Sequence, residues 1–500
     1  MNRFRFAMIA ASLGATISMP AANWDRWRGA DNSGMASSVA PLRWSDTENI
    51  KWTADIAGRS SSTPIVWGDR VFLTTAIPVE PRAEAASEAG VAERLERRQA
   101  RPAGGGESGP GTPEMRERVR ELTGGKDLSE LTREERREVM RRLRRSAREP
   151  RGRRAAGGDP RAVEIAEHRF VVIALDRNTG KTIWERTAVV ARPHEGHHRR
   201  YGSFASSSPV TDGNLVYACF GSRGIYAYDM DGNLAWKKNY GVEFKMANSF
   251  GEGRSPTLHG DTLVLVFDHQ GDSFVSALDK RTGEELWRRD RDERSAWSQP
   301  LVVEHAGRTQ AIVAASGKIQ SFDIETGDVI WECAGLGSNV IPAVVRDGDV
   351  VYAMSGHRDP NLLAIRLGGE GDITESDYVL WTNQRGNSYT ASPVIDGGIL
   401  YFVTDRGMLS ALDAKTGRPH YLQQRLPGMY SLKASPIGAA GRLYIATEQG
   451  DVVVVGLGGE FEVLATNTIE GEFFMASPVV VDGEMLLRGR SKLYAISAKD

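Results

Sequence analysis

Three histidines and a carboxylate lie within five residues at His194-Glu195-Gly196-His197-His198. Imidazole nitrogen and carboxylate oxygen suit Zn²⁺ or Cu²⁺, and imidazole also exchanges protons near neutral pH. A second group, Asp268-His269-Gln270-Gly271-Asp272, sets two carboxylates around an imidazole, a combination suited to metal binding or to general acid–base work. His194, His197, His198, Asp268 and His269 are therefore the candidate metal ligands. The first group lacks the helix that makes paired histidines around a glutamate a specific zinc motif. The alternative reading of both groups is a polar loop and a turn network. The sequence contains no Gly-x-Ser-x-Gly nucleophile elbow, phosphate loop or haem-attachment motif, so no catalytic residue is named.

The elements that must position these groups are repeats. A period near 40–50 residues marks a propeller or solenoid. An anchoring proline recurs at Pro64, Pro209, Pro256, Pro300, Pro342, Pro393, Pro436 and Pro478, with gaps of 47, 44, 42, 51, 43 and 42 from Pro209 onward. Glycine is followed four residues on by an aromatic residue at Gly180–Trp184, Gly232–Trp236, Gly283–Trp287, Gly327–Trp331 and Gly417–Tyr421. Between these landmarks run apolar segments such as VVIALD (171–176), GIYAYD (224–229), FVSALD (274–279) and MLSALD (408–413).

Each unit offers four short strands, A to D. Proline suits the start of strand A, where a missing N–H costs no ladder bond. Asp-Gly marks the A–B hairpin and Asp-x-x-Thr-Gly the C–D turn, because these residues accept turn geometry. The sequence predicts an all-β, eight-bladed β-propeller of four-stranded antiparallel blades. The last unit ends without a strand D, and Asn49-Ile50-Lys51-Trp52 reads as a strand D with no partners before it. N-to-C closure, with the first segment completing the last blade, removes the open edges.

The repeat Gly-x-apolar-Tyr-Ala-Leu-Asp-x-x-Thr-Gly-x-x-x-Trp resembles that of quinoprotein-like (PQQ-repeat) propellers. That family includes PQQ-dependent dehydrogenases and the barrel-assembly scaffold BamB. The opening Trp24-Asp25-Arg26-Trp27-Arg28-Gly29, with Trp44, resembles the start of secreted PQQ-like propellers. The resemblance covers roughly 23–76 and 168–500. It implies PQQ with Ca²⁺ if the chain is an enzyme. The dehydrogenases' adjacent cysteine pair has no counterpart, since Cys219 and Cys333 are 114 residues apart. Their calcium-ligand and base segment has no match either. Buried free thiols are the expected state of both cysteines.

Residues 1–22 carry two early arginines, a weakly apolar stretch and small residues near the end, the pattern of a signal peptide. A periplasmic or secreted location is expected. No cysteine occurs there, so a lipid anchor is not expected. No apolar run reaches the length of a membrane span, and a net charge of −2 gives no bias toward nucleic acid. Residues 23–76 hold the closing strand and the start of blade one, and 169–500 the rest of the propeller. Residues 77–168 interrupt blade one with an Arg/Glu-rich insert expected to run from disordered to helical. Helices are predicted over 113–122 and 128–145, the second from a capping box at Thr132–Glu135.

In a propeller, B–C loops and D–A connections share one face. The insert is a B–C loop and the His194–His198 group lies in a D–A connection, so both should crowd one end of the molecule. The expected function is an exported, monomeric scaffold that binds a protein partner or small ligand on that face. The alternative is a divergent quinoprotein or a metal-dependent oxidoreductase.

Overall fold

Strands B and C of each repeat are apolar on both faces because each sheet is covered by a sheet on either side. The computed structural model describes residues 23–79 and 165–497. They form eight sheets of four antiparallel strands, two of which carry an extra parallel strand. Blade one comprises Ile65–Trp67, Arg70–Pro78, His168–Asp176 and Thr182–Ala191. Its strands B and C run two residues and one residue further toward the insert than the sequence suggested, and pair up to Pro78–His168. The helices expected in the insert and the signal peptide lie outside the described residues.

Closure is as predicted. Blade eight takes Val479–Val481, Glu484–Arg488 and Lys492–Ser497 from the end of the chain and Ile50–Asp55 from its start. Ile50–Asp55 lies antiparallel to Lys492–Ser497, with Trp52 opposite Ala495. The extra parallel strands are Met35–Ala36, against blade seven, and Gly371–Asp372, against blade four.

Every strand D contains a register shift just before its key residue, as between Leu234 and Trp236 or between Ile50 and Trp52. Such a bulge re-aims the side chain that follows it. Here it turns the tryptophan onto the next blade. The Gly–Trp spacing seen in sequence therefore pairs each glycine with the preceding blade's tryptophan, not its own. Trp52 packs on Gly180, Trp184 on Gly232, Trp236 on Gly283, Trp287 on Gly327 and Trp381 on Gly417. The indole N–H groups donate to carbonyls of the same turns, Trp52 to Arg177 and Trp236 to Lys280. Blade five lacks the glycine, so Trp331 donates within its own blade to Gln310. Blade seven has Ala465 at this position, and Trp44 from the N-terminal segment packs against Tyr444 there.

A series of hydroxyls ties most of the inner edges together. The backbone N–H of Thr63 donates to Ser208 Oγ, Ser208 to Ser255, Ala343 to Ser392, Ser392 to Ser435, Ser435 to Ser477 and Ser477 back to Thr63 Oγ1. Ala343, one residue after Pro342, therefore occupies the position that precedes the proline elsewhere, and the anchor read at Pro342 is displaced by two residues from position 344.

The N-terminal segment runs across the inner strands. Trp24 bridges Val66 of blade one, Asp25 O accepts from Thr211 of blade two, and Arg26 donates to Leu258 O of blade three. Arg28, fully buried, donates to the Pro393 and Pro436 carbonyls of blades six and seven. Burial pushes its guanidinium down to about 9. This one segment thus ties together blades one, two, three, six and seven.

Candidate functional site

The connections that precede strand A in all eight blades converge on one cavity of about 510 Å³. Its polar base is the hydroxyl series, represented by Thr63, Ser208, Ser255 and Ser477, with Trp27 held there by its N–H to Ser477 Oγ at 3.1 Å. Its walls are aromatic: Tyr201, Phe250, Trp297 and Tyr389. Trp297 is fixed by donating to Gly251 O at 2.8 Å. Cavities of this size lined by apolar rings with a few polar groups are the usual form of a recognition pocket.

Charge in the funnel is mainly positive. Its cationic side chains are Arg358, from the B–C loop of blade five, and Lys433. Lys433 sits 4.6 Å from the Tyr201 ring centroid and pairs with Asp405. The one carboxyl among the lining residues is Glu252. It accepts from the backbone N–H and the hydroxyl of Ser222, at 2.5 and 2.7 Å. Burial pushes it up to about 7 against those bonds, so it is only about half ionised at neutral pH.

The five residues picked from sequence are not assembled into one centre. Arg223 donates to His194 Nδ1, leaving Nε2–H to donate to Phe244 O, both at 3.1 Å, so both ring nitrogens are used. His269 is likewise spent, accepting from Gly271 N–H and donating to Asp272 O. Asp268 is buried with its two oxygens on Arg254 and Arg291, at 3.0 and 2.9 Å. His197 donates from Nδ1 to His198 O, and His198 accepts from Tyr201 N–H while stacking on the Tyr201 ring at 4.4 Å. Burial lowers the pKa of all four histidines, so they are neutral hydrogen-bonding groups of the loops. Among the described residues, no group of three or more His, Cys, Asp or Glu is placed to hold a metal. Of the five, His198 alone lines the funnel.

The same test applies to PQQ with Ca²⁺. Calcium takes six to eight oxygens, mostly from carboxylates and carbonyls. Glu252, already bound to Ser222, is a poor start for such a set, and the donor side chains here do not fit a calcium-held quinone. The two cysteines are buried free thiols in separate blades, pushed up by burial to about 12 for Cys219 and about 11 for Cys333.

The funnel aromatics escaped the sequence reading for a definite reason. Tyr201, Phe250, Trp297 and Tyr389 lie at four different distances before their prolines. They follow no period, and only convergence of the connections reveals them.

Eight closed blades with tryptophans docked on Asp-x-x-Thr-Gly turns define a PQQ-like repeat β-propeller. The family described as "Outer membrane protein assembly factor BamB" matches residues 168–420, just over half of the chain. The chain belongs to that family. Its BamB relative from Yersinia pestis is 26% identical over 353 residues, covering 66% of this chain and 80% of the relative. That from Escherichia coli is 24% identical over 338 residues, covering 58% and 81%. Among solved structures, the quinohemoprotein alcohol dehydrogenase of Comamonas testosteroni shares the fold with a TM-score of 0.54 at 10% identity, covering 95% of this chain and 80% of that one. No helix among the described residues is long and apolar enough to cross a membrane.

Proposed function

We propose that this chain is an exported, BamB-like scaffold that holds a protein partner on its funnel face during assembly of outer-membrane proteins. Membership of the BamB family carries the reading. The funnel supports it, because it offers a concave aromatic recognition surface. The pattern of residues 1–22 supports the export part of this reading, under which the propeller acts in the periplasm.

Deletion of the gene is the test. The amount of folded β-barrel protein in the outer membrane should fall and be restored by the full chain, and fractionation should recover the chain from the periplasmic side. Unchanged barrel content would remove the assembly role. Recovery from the cytoplasm would remove the export.

A further inference from the structure

The two ends of the propeller differ in charge. At one end the A–B and C–D turns carry aspartates, such as Asp176, Asp229 and Asp413, whose carboxyls are held below their usual range chiefly by hydrogen bonds from Thr179, Asn233 and Thr416. At the funnel end the exposed side chains include Arg59, Arg200, Arg358 and Arg490. The nearby acids are turned inward or occupied. The Glu448 side chain is 0% exposed and meets Arg200 at 2.7 Å. Glu472 accepts from Tyr494 Oη at 2.6 Å and from the backbone of Phe473 and Arg490. Asp405 is taken by Thr390 and Lys433. Exposed carboxylates also lie at this end, among them Glu243, Asp272, Asp292, Asp359 and Glu470, but of the residues that line the funnel itself Glu252 alone carries a carboxyl.

The arginines are also backed by rings. The Arg490 guanidinium lies 4.5 Å from the Phe473 centroid, and that of Arg200 lies 5.9 Å from the same ring and 5.6 Å from Tyr201. Stacking presents the planar donor fork outward and reduces the freedom lost on pairing with a carboxylate. Arg59 donates to the Arg199 and Arg200 carbonyls, which fixes this connection at the rim. Arg358 makes no ion pair among the described residues. Its backbone is in the left-handed region, φ 44°, at the funnel wall.

We propose that the funnel mouth binds an acidic peptide segment of a protein partner, its carboxylates on the rim arginines and an aromatic side chain inserted between Trp297 and Tyr389. The occupant follows from complementarity. A basic rim selects carboxylates, and the roughly 510 Å³ funnel has room for one or two large side chains rather than a folded domain. The inference deepens the scaffold reading and rests on it.

The probe is a fluorescein-labelled peptide with one central tryptophan flanked by four glutamates on each side, read by anisotropy on the full mature chain. Binding should weaken at least tenfold between about 50 and 300 mM salt, as screening of exposed charges requires. Arg358→Glu and Arg490→Glu should each weaken it fivefold or more with unchanged thermal unfolding, whereas Asp328→Lys on the opposite end should not. Replacing the tryptophan by alanine should cost at least fivefold. Equal binding of a lysine-flanked peptide, no binding at low salt, or indifference to both arginine reversals would overturn the proposal. So would binding to anionic phosphatidylglycerol vesicles without binding to the peptide. If gene deletion lowers barrel content but both reversals restore it fully, the scaffold reading stands and this one falls. If deletion has no effect but the peptide binds as described, the peptide site stands without the assembly role.

Discussion

Trp184 of blade one lies against Gly232 of blade two so closely that a Cβ on that glycine would sit 2.7 Å from Trp184 Cδ2. Gly232 also has φ 81°, a conformation that L-residues adopt at a cost. The contact joins two blades through one ring and one missing side chain. Gly232→Ala should lose about 1–3 kcal/mol from backbone strain and clash, and Trp184→Ala about 3–5 kcal/mol from the cavity left behind. Both are measured by urea unfolding. The double variant should lose less than the sum, because without the ring the new methyl has nothing to strike. Strict additivity would show that the two residues act separately.

This contact also marks what sequence could and could not disclose. The periodic features, Asp-Gly hairpins, Asp-x-x-Thr-Gly turns, apolar strands and the orphan strand at Ile50–Asp55, are enforced once per blade and so were readable. Docking between blades was not, because Gly180 and Trp184 are neighbours in sequence while each serves a different partner in space. The funnel was hidden for the opposite reason, since Trp27, Tyr201 and Trp297 belong to connections free to differ from blade to blade. His194 and Asp268 attracted notice by residue type alone. Their partners, Arg223 and Arg291, lie 29 and 23 residues away, where no local pattern reveals them.

Ser477 accepts two donors in the hydroxyl series, the Ser435 N–H at 3.2 Å and the Trp27 indole at 3.1 Å. Ser477→Ala leaves the Ser435 N–H without an acceptor in a buried place and the Trp27 indole without one at the half-buried funnel base. The expected loss is about 1–3 kcal/mol, together with a red-shifted and more quenchable Trp27 emission in a variant whose other tryptophans are unchanged by substitution. Ser477→Thr keeps the acceptor and should recover most of the stability. An alanine variant as stable as the parent would mean that water replaces the hydroxyl.

Glu293 is buried near Arg291 and Asp268. Burial pushes its carboxyl up from an ordinary 4.5 to about 7, with the attraction of Arg291 acting in opposition. Between those values the folded chain retains a proton that the unfolded chain releases. Its contribution is therefore fully present below pH 4.5 and is lost as pH rises through 7. The stability difference between parent and Glu293→Gln should change in that window, with the parent losing ground as pH rises. A difference independent of pH from 4.5 to 7.5 would place the titration elsewhere.

The insert leaves the propeller through a hairpin that is already closed. Pro78 pairs with His168, and Val79 N–H donates to Glu167 O at 2.8 Å. The corresponding strands of blade seven, Arg442–Ala446 and Asp451–Gly456, are joined directly by a short turn. Replacing residues 80–165 by Asn-Gly should therefore leave blade one intact. Shortening the connection roughly fortyfold also lowers the entropic cost of closing it, by about 3 kcal/mol, so the cooperative thermal transition should be kept or move upward. Loss of that transition would show that the propeller depends on the insert. Retained stability would free the insert to be tested separately, by asking whether the shortened chain still supports barrel assembly and still binds the acidic peptide.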